Sequence, residues 1–305
     1  MNIRGIVLVA VLAVVAAAGI WVGWLLRYRP LTVFAWQTRF ALRTAGLHKV
    51  KGAAGPGPQA VFVGGQGPAV VLLHGAGDNA GTWFRVVPEL VKGHTLIVPD
   101  LAGHGSSAPH SGPIEVRQVI EGVEEVLNRL APGQKVALVG NSLGAWVAMV
   151  VAHHHPERVA ICVCIDGGAI KGSNEHARVL PETRAEARES VAQTRDPGSA
   201  PVPDFVLDDI VRQAKVGPLG RLAATAATME AYVLDDAQLR ELTLPVRLIW
   251  GASDRLMPLD YAQRMLTELP SATLVTLERC GHVPQIECPQ RLLPVLKEAL
   301  GGAKW

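Results

Sequence analysis

The sequence predicts an α/β fold: a mostly parallel sheet flanked by helices, with a helical cap insertion and an N-terminal transmembrane helix. Three observations predict it. From about Ala60, short β-rich apolar runs alternate with helical stretches, the rhythm of parallel strands joined by crossover helices. Between Lys171 and Leu244 that rhythm stops, and Ala, Arg, Glu and Asp dominate, punctuated by Pro181, Pro197, Pro201, Pro203 and Pro218. Ahead of both, Gly5 to Leu26 is a run of 22 residues without a charge. The implied organisation is an anchor over 1–28, a basic stretch and linker over 29–59, a core in two parts (60–170 and 244–305) and a helical cap over 171–243.

Taken in order, the apolar run comes first. As a helix rising 1.5 Å per residue it reaches about 33 Å, enough to cross a bilayer. Trp21, Trp24 and Tyr28 fall near its end, where aromatic rings favour the headgroup zone. A cleaved signal peptide is the alternative, because Ala16-Ala17-Ala18 resembles a small-residue cleavage site. Against it, apolar sequence runs on for eight residues past that site. Arg27, Arg29, Arg39, Arg43, Lys49 and Lys51 follow with no acid among them, so the positive-inside rule puts the body on the cytoplasmic side.

The overall charge of +2 therefore hides a split. From Gly52 onward, 22 bases face 27 acids, and a folded body that is net negative is a poor partner for nucleic acid. Within the basic stretch, Val33, Trp36 and Phe40 fall on one helical face and Thr32, Arg39 and Arg43 on another. This pattern suits a helix lying in the membrane interface with its bases toward anionic lipid, or a plain linker helix packed on the body. Gly52 to Pro58, with three glycines and two prolines, reads as a flexible joint.

The expected strands are Ala69–Leu73, Thr95–Val98, Val136–Val139, Val159–Ile165, Val246–Trp250 and Thr273–Leu277. Helices are expected around Trp83–Val91, Ile114–Leu130, Leu143–His155, Leu259–Leu269 and Gln290–Leu300. Cys162 and Cys164 share one face of a strand, and Cys280 and Cys288 lie far downstream. With no Cys-x-x-Cys or Cys/His spacing, four free and mostly buried thiols are expected, with no disulfide and no metal. His153, His154 and His155 diverge by about 100° per residue on a helix and cannot converge on one ion.

The chemistry begins where the run from Val136 enters Gly140-Asn141-Ser142-Leu143-Gly144 and then a helix. In the pattern G-x-S-x-G the serine occupies a strained turn, and the flanking glycines let strand and helix approach closely. A serine hydroxyl is a weak nucleophile that needs a base, and the base needs an orienting acid. Asp254 and His282 each follow a later strand, so both fall on the same sheet edge as Ser142. Asp166 also ends a strand and is the alternative acid. The chain order Ser, Asp, His separates this arrangement from other serine triads.

Together with Leu73-His74-Gly75-Ala76-Gly77, Asp100-Leu101-Ala102-Gly103-His104-Gly105-Ser106-Ser107 and Gly281-His282-Val283-Pro284, these motifs resemble the α/β-hydrolase family over roughly residues 60 to 301. The resemblance implies an oxyanion hole from the backbone N–H groups of Ala76 and Leu143, and loop-shaping roles for His74 and His104. A rival reading exists, since Gly75-x-Gly77-x-x-Ala80 with Asp100 downstream also fits a dinucleotide fingerprint. It would leave Ser142, Asp254 and His282 as coincidences.

Serine at the elbow argues against the family branches resembling haloalkane dehalogenases and epoxide hydrolases, which use aspartate there. The Gly-Asn-Ser elbow is similar to that of carbon-carbon bond hydrolases of ring-cleavage products. The anchor, basic stretch and cap resemble the membrane-anchored monoacylglycerol lipases. The implied activity is hydrolysis of lipophilic carboxylic esters without a cofactor, with membrane lipid as a partner and the acyl chain reaching the site from the bilayer. Carbon-carbon bond hydrolysis and a non-catalytic binding protein on the same fold are the alternatives. Candidate pocket residues are Asn141, Phe205, Ile210, Leu222, Met229 and Val283, and the oligomeric state is not legible.

Overall fold

The computed structural model describes residues 3–54, 57–170 and 179–305. Helix α1 (Ile3–Tyr28) contains the segment Ala10–Tyr28, 19 residues long and apolar enough to cross a membrane by length and composition, and exposed along its length except at Leu25. It breaks at Arg29, because a residue before proline is driven out of the helical region, here to φ −138° and ψ 42°. Pro30 then opens α2 (Pro30–Thr44) at a position where its missing N–H costs nothing.

The outward face of α2 carries Trp36 and Phe40, 51% and 66% exposed, while Thr38 and Leu42 are buried against the body. The expectation that Arg39 turns toward lipid is corrected. Its guanidinium lies 3.0 Å from the fully buried carboxylate of Asp100. Thr38 is so close to the body that a Cβ on Gly81 would come within 2.2 Å of its hydroxyl.

Among the described residues one sheet has eight strands, in the order β1-β2-β4-β3-β5-β6-β7-β8. Strands β1 (His48–Ala54) and β2 (Pro58–Gly64) form an antiparallel hairpin, and β2 also pairs antiparallel with β4 (Thr95–Pro99). β1 falls wholly within the stretch 29–59 expected to be basic helix and linker, and β2 only by its first two residues. Residues 52–54 of the expected flexible joint belong to β1, and 55–56 lie outside the described residues. The remaining strands run parallel: β3 (Ala69–Leu73), β5 (Val136–Asn141), β6 (Val159–Ile165), β7 (Val246–Gly251) and β8 (Ala272–Leu277).

Every residue of β3, β5 and β6 is buried, as continuous apolar runs require when both sheet faces are covered. Side chains alternate between two cores: Val71 and Leu73 join one with Val119 and Val123, and Val70 and Leu72 join the other with Trp83 and Leu292. The first core is closed by α4 (Val116–Leu130), whose buried Val116, Val119, Ile120, Val123, Val126 and Leu127 form one stripe. It is also filled by α5 (Leu143–His154), apolar on nearly every side because nearly every side is buried. The second core is covered by a 3-10 segment (Ala80–Arg85), α3 (Val87–Leu90) and α13 (Pro289–Gly301).

Between β6 and β7 the described residues contain five short helices and no named strand: α6 (Arg184–Thr194), α7 (Asp204–Val216), α8 (Pro218–Ala223), α9 (Ala226–Met229) and α10 (Asp236–Glu241). Residues 171–178 of the expected cap lie outside the described residues. The cap meets the N-terminal helices, with the N–H of Leu31 donating to the buried Asp209 carboxylate of α7 at 3.0 Å. Helices α11 (Leu259–Glu268) and α12 (Pro284–Glu287) complete the chain.

Candidate active site

Five strand ends converge on one rim of the sheet. Ser142 follows β5 directly with φ 53°, a left-handed conformation that costs a side-chain-bearing residue energy and is kept only where its surroundings enforce it. The enforcement is visible in the two glycines of the motif. A Cβ on Gly140 would stand 2.1 Å from the carbonyl of Gly144, and one on Gly144 would stand 2.2 Å from the carbonyl of Leu73. Among the described residues only three non-glycines have positive φ, Ser142, Asp166 and Arg279, and each follows a strand at this rim.

His282 and Asp254 meet closely. The imidazole Nδ1 lies 2.7 Å from Oδ2 of Asp254, and both residues are 5% exposed. The other carboxylate oxygen accepts the N–H groups of Leu256 at 2.9 Å and Met257 at 3.0 Å, which fixes its orientation. Asn141 ties this assembly to the serine, because its side-chain amide donates to the carbonyls of His282 at 2.9 Å and Ile165 at 3.2 Å. Its oxygen in turn accepts from Gln285 at 3.0 Å. The Ser142 hydroxyl makes no hydrogen bond among the described residues.

Asp166, the alternative acid, accepts the N–H of Gly251 at 2.8 Å, whereas the imidazole takes Asp254. The loop after β3 lies against the elbow, since a Cβ on Gly75 would be 3.4 Å from that of Ser142. Leu143 is the first residue of α5, so its N–H has no partner within the helix. Together with Ala76, on the loop beside the serine, it forms the candidate oxyanion hole.

His74 and His104 are buried behind this loop. The ring of His74 donates from Nδ1 to the Gly75 carbonyl at 2.8 Å and accepts the Leu101 N–H on Nε2 at 3.0 Å, which defines one neutral tautomer. Burial, with the neighbouring His104 adding to it, holds its pKa well below the usual value, and burial lowers that of His104 to about 4. Asp100 accepts the N–H groups of Ala80 and Ser106, each at 2.8 Å, as well as Arg39. Its carboxylate is thus saturated and buried, leaving nothing for the ribose that a dinucleotide reading requires.

One expectation about the cysteines is overturned. Cys280 and Cys288 form a disulfide with Cα atoms 5.9 Å apart, while Cys162 and Cys164 are free, buried and side by side. The spacing of eight matched no thiol motif. It closes because the turn after His282 and the short α12 fold the chain back, with Glu287 accepting the Gly281 N–H at 2.6 Å. The bridge therefore brackets the histidine loop. Replacing both cysteines with serine is expected to lower stability by about 2.5 kcal/mol from loop entropy, measured as a shift in denaturation midpoint.

A cavity of ≈ 610 Å³ reaches the oxyanion loop at Ala76 and Gly77 and is walled by Ile210 and Leu219 of the cap and by Leu31 and Trp36 of α2. Of the six candidate pocket residues, Ile210 is the one that lines it. Leu222 is buried in the main core, Met229 packs against that core, and Phe205 and Val283 are half-buried elsewhere. Asn141 spends its side chain on the histidine loop. The contribution of α2 to the cavity wall was not legible, because its helical periodicity gave no sign of which element it packs on. A larger cavity of ≈ 850 Å³ lies where Ile170 and Leu234 meet α11, and no candidate residue lines it.

A strained serine elbow, a buried His–Asp pair and a covering cap at one rim of a mostly parallel sheet define a hydrolase site on an α/β scaffold. The family model "Alpha/beta hydrolase family" matches residues 70–295, and the chain belongs to that family. It is 31% identical over 255 residues to the pimeloyl-[acyl-carrier protein] methyl ester esterase of Aromatoleum aromaticum, covering 77% of this chain and 99% of that one. It is 28% identical over 256 residues to the 2-hydroxy-6-oxononadienedioate/2-hydroxy-6-oxononatrienedioate hydrolase of Cupriavidus pinatubonensis, covering 76% and 86%. In fold it is similar to a bacterial membrane phospholipase A, with a TM-score of 0.76 and 23% identity over 98% of this chain and 99% of that one.

Proposed function

We propose that this hydrolase is a membrane-anchored serine esterase that cleaves carboxylic esters with lipophilic acyl chains, of which monoacylglycerols are the type. The observation that carries the reading is the 2.7 Å contact between His282 and Asp254 on the loops beside the strained Ser142. Ser142 Oγ attacks the ester carbonyl as His282 Nε2 takes its proton. Asp254 holds the imidazole tautomer and stabilises its charged form. The tetrahedral oxyanion is received by the N–H groups of Leu143 and Ala76, the alcohol leaves with the proton from His282, and water then releases the acyl group by the same relay.

Preference for an apolar acyl chain is supported by the cavity, whose wall from α2 continues from the apolar helix α1. The reading is tested by assaying detergent-solubilised protein on p-nitrophenyl and glycerol esters of graded acyl length. A maximum at medium or long chains is expected, and activity on acetate alone would overturn the lipid preference. Replacing Phe40 with serine is expected to weaken binding to anionic vesicles while leaving turnover of a soluble short-chain ester within about twofold, because that ring is 66% exposed and lines no part of the cavity.

Carbon-carbon bond hydrolysis is the second reading, favoured by the Gly-Asn-Ser elbow and by relatives named for that reaction. Turnover of 2-hydroxy-6-oxodienoates with inert monoacylglycerols would establish it in place of the first. A binding protein without catalysis would leave the folded chain unlabelled by fluorophosphonate.

The side of the membrane is tested by alkylating thiols in sealed cells. The six bases after the span support the cytoplasmic side, and the Cys280–Cys288 disulfide supports an oxidising one. Two alkylated thiols per denatured chain would favour the oxidising side, and four the cytoplasm.

A further inference from the structure

Asp166 is a buried acid that the proposed relay does not use. It ends β6, between the serine that follows β5 and the acid loop that follows β7, with no exposure and a left-handed φ of 47°. Oδ1 accepts the Gly251 N–H at 2.8 Å, and Oδ2 is buried without any donor. Gly251 holds the two acids on one turn, its N–H bonding Asp166 and its carbonyl accepting the Asp254 N–H at 3.1 Å, and Asp254 is itself an acceptor already holding His282, Leu256 and Met257. Two carboxylates held close together away from water do not both stay charged, and a hydrogen bond between them requires that one carry a proton. Asp254 faces an imidazole and two amides, all of which favour its charged form. The proton therefore belongs on Asp166.

We infer that Asp166 is a permanently neutral carboxylic acid whose O–H donates to the Asp254 carboxylate and so positions the acid of the relay. The inference rests on the reading of Ser142, His282 and Asp254 given above. Burial, followed by the charge of Asp254, raises the Asp166 carboxyl well above the ordinary carboxylate range, and the nearby Glu287 adds to the effect. The consequence is a second clamp on Asp254. Its carboxylate would be held from the Leu256 and Met257 amides on one side and from Asp166 on the other, leaving the histidine one direction in which to bond.

The test uses full-length protein in detergent. Infrared difference spectra between wild type and Asp166→Asn are expected to contain a protonated-carboxyl carbonyl band, shifted in D₂O, that the variant lacks and that Ser142→Ala retains. Asparagine tolerates left-handed backbone, keeps an acceptor for Gly251 and supplies an N–H donor to Asp254, so kcat of Asp166→Asn is expected within about threefold of wild type. Asp166→Ala removes the donor, and kcat is expected to fall about tenfold to a hundredfold with KM unchanged, the worth of a hydrogen bond to a charged group. Absence of a band dependent on Asp166 overturns the inference whatever the activities are. An Asp166→Asn variant as impaired as Asp166→Ala overturns the positioning role. If Asp166→Ala does not fold, the band and the Asp166→Asn rate still decide. If wild type hydrolyses no ester, the esterase reading fails, while the band still reports the proton.

Discussion

Ser142→Ala is expected to lower kcat for a medium-chain ester on the order of 10⁶-fold and to abolish fluorophosphonate labelling, while leaving the denaturation midpoint nearly unchanged. The size follows from the way the relay works as a unit. Without the hydroxyl, His282 and Asp254 have no proton to move, and the residue at 142 offers no atom to become acylated. What survives is the oxyanion hole and the cavity, which still orient a substrate and are worth about 10³- to 10⁴-fold over water. Folding is spared because the Ser142 side chain makes no hydrogen bond among the described residues. The main-chain bonds that hold the elbow, from Ser142 N–H to the Ile165 carbonyl and from Ala145 and Trp146 to the Ser142 carbonyl, do not depend on the side chain. A variant retaining more than about a hundredth of wild-type kcat would remove Ser142 from the nucleophile's role.

The rim was legible in the sequence because each of its parts is local. Gly140, Ser142 and Gly144 announce a turn that only their spacing permits, and the apolar runs ending before His74, Ser142, Asp166, Asp254 and His282 need no partner to be recognised as strands. What escaped was non-local. The strand β1 is built from His48, Lys49, Val50 and Lys51, with no clean alternation, and it forms because β2 offers an unpaired edge. The Cys280–Cys288 bridge depends on a chain reversal around His282 that the seven intervening positions do not advertise. For α2, the helix was evident and its seat was not. Val33, Trp36 and Phe40 share a face that suited a membrane surface or the body alike, and Trp36 and Phe40 are exposed because what seats the helix is Leu42 in the core, Arg39 on Asp100 and Thr38 against Gly81. The cavity wall went unread for the same reason, since it exists only once α2 is docked.

That docking sets the second large effect. Asp100→Ala is expected to destabilise the protein by about 3–5 kcal/mol, a large share of the about 5–15 kcal/mol that holds a typical domain together. One carboxylate with no solvent exposure satisfies the Ala80 N–H, the Ser106 N–H and the Arg39 guanidinium, so its loss strands a buried amide, a half-buried amide and a mostly buried charge at once. Arg39→Met removes only one of these partners, and water reaches a guanidinium that is 18% exposed, so a smaller loss is expected. Activity is expected to fall with Asp100→Ala even where the protein remains folded, because Ala80 begins the 3-10 segment that continues from the loop bearing Ala76. A double variant, Arg39→Met with Asp100→Leu, separates the two causes. It restores neutrality and apolar packing, so a denaturation midpoint above that of Asp100→Ala means that the stranded charge dominates. An unchanged midpoint means that the two amides do. In either case α2, between α1 and the sheet, acts as a structural part of the hydrolase fold, and removing residues 30–44 should cost stability and ester turnover together. A truncated protein with full stability and turnover would show instead that α2 is only a tether.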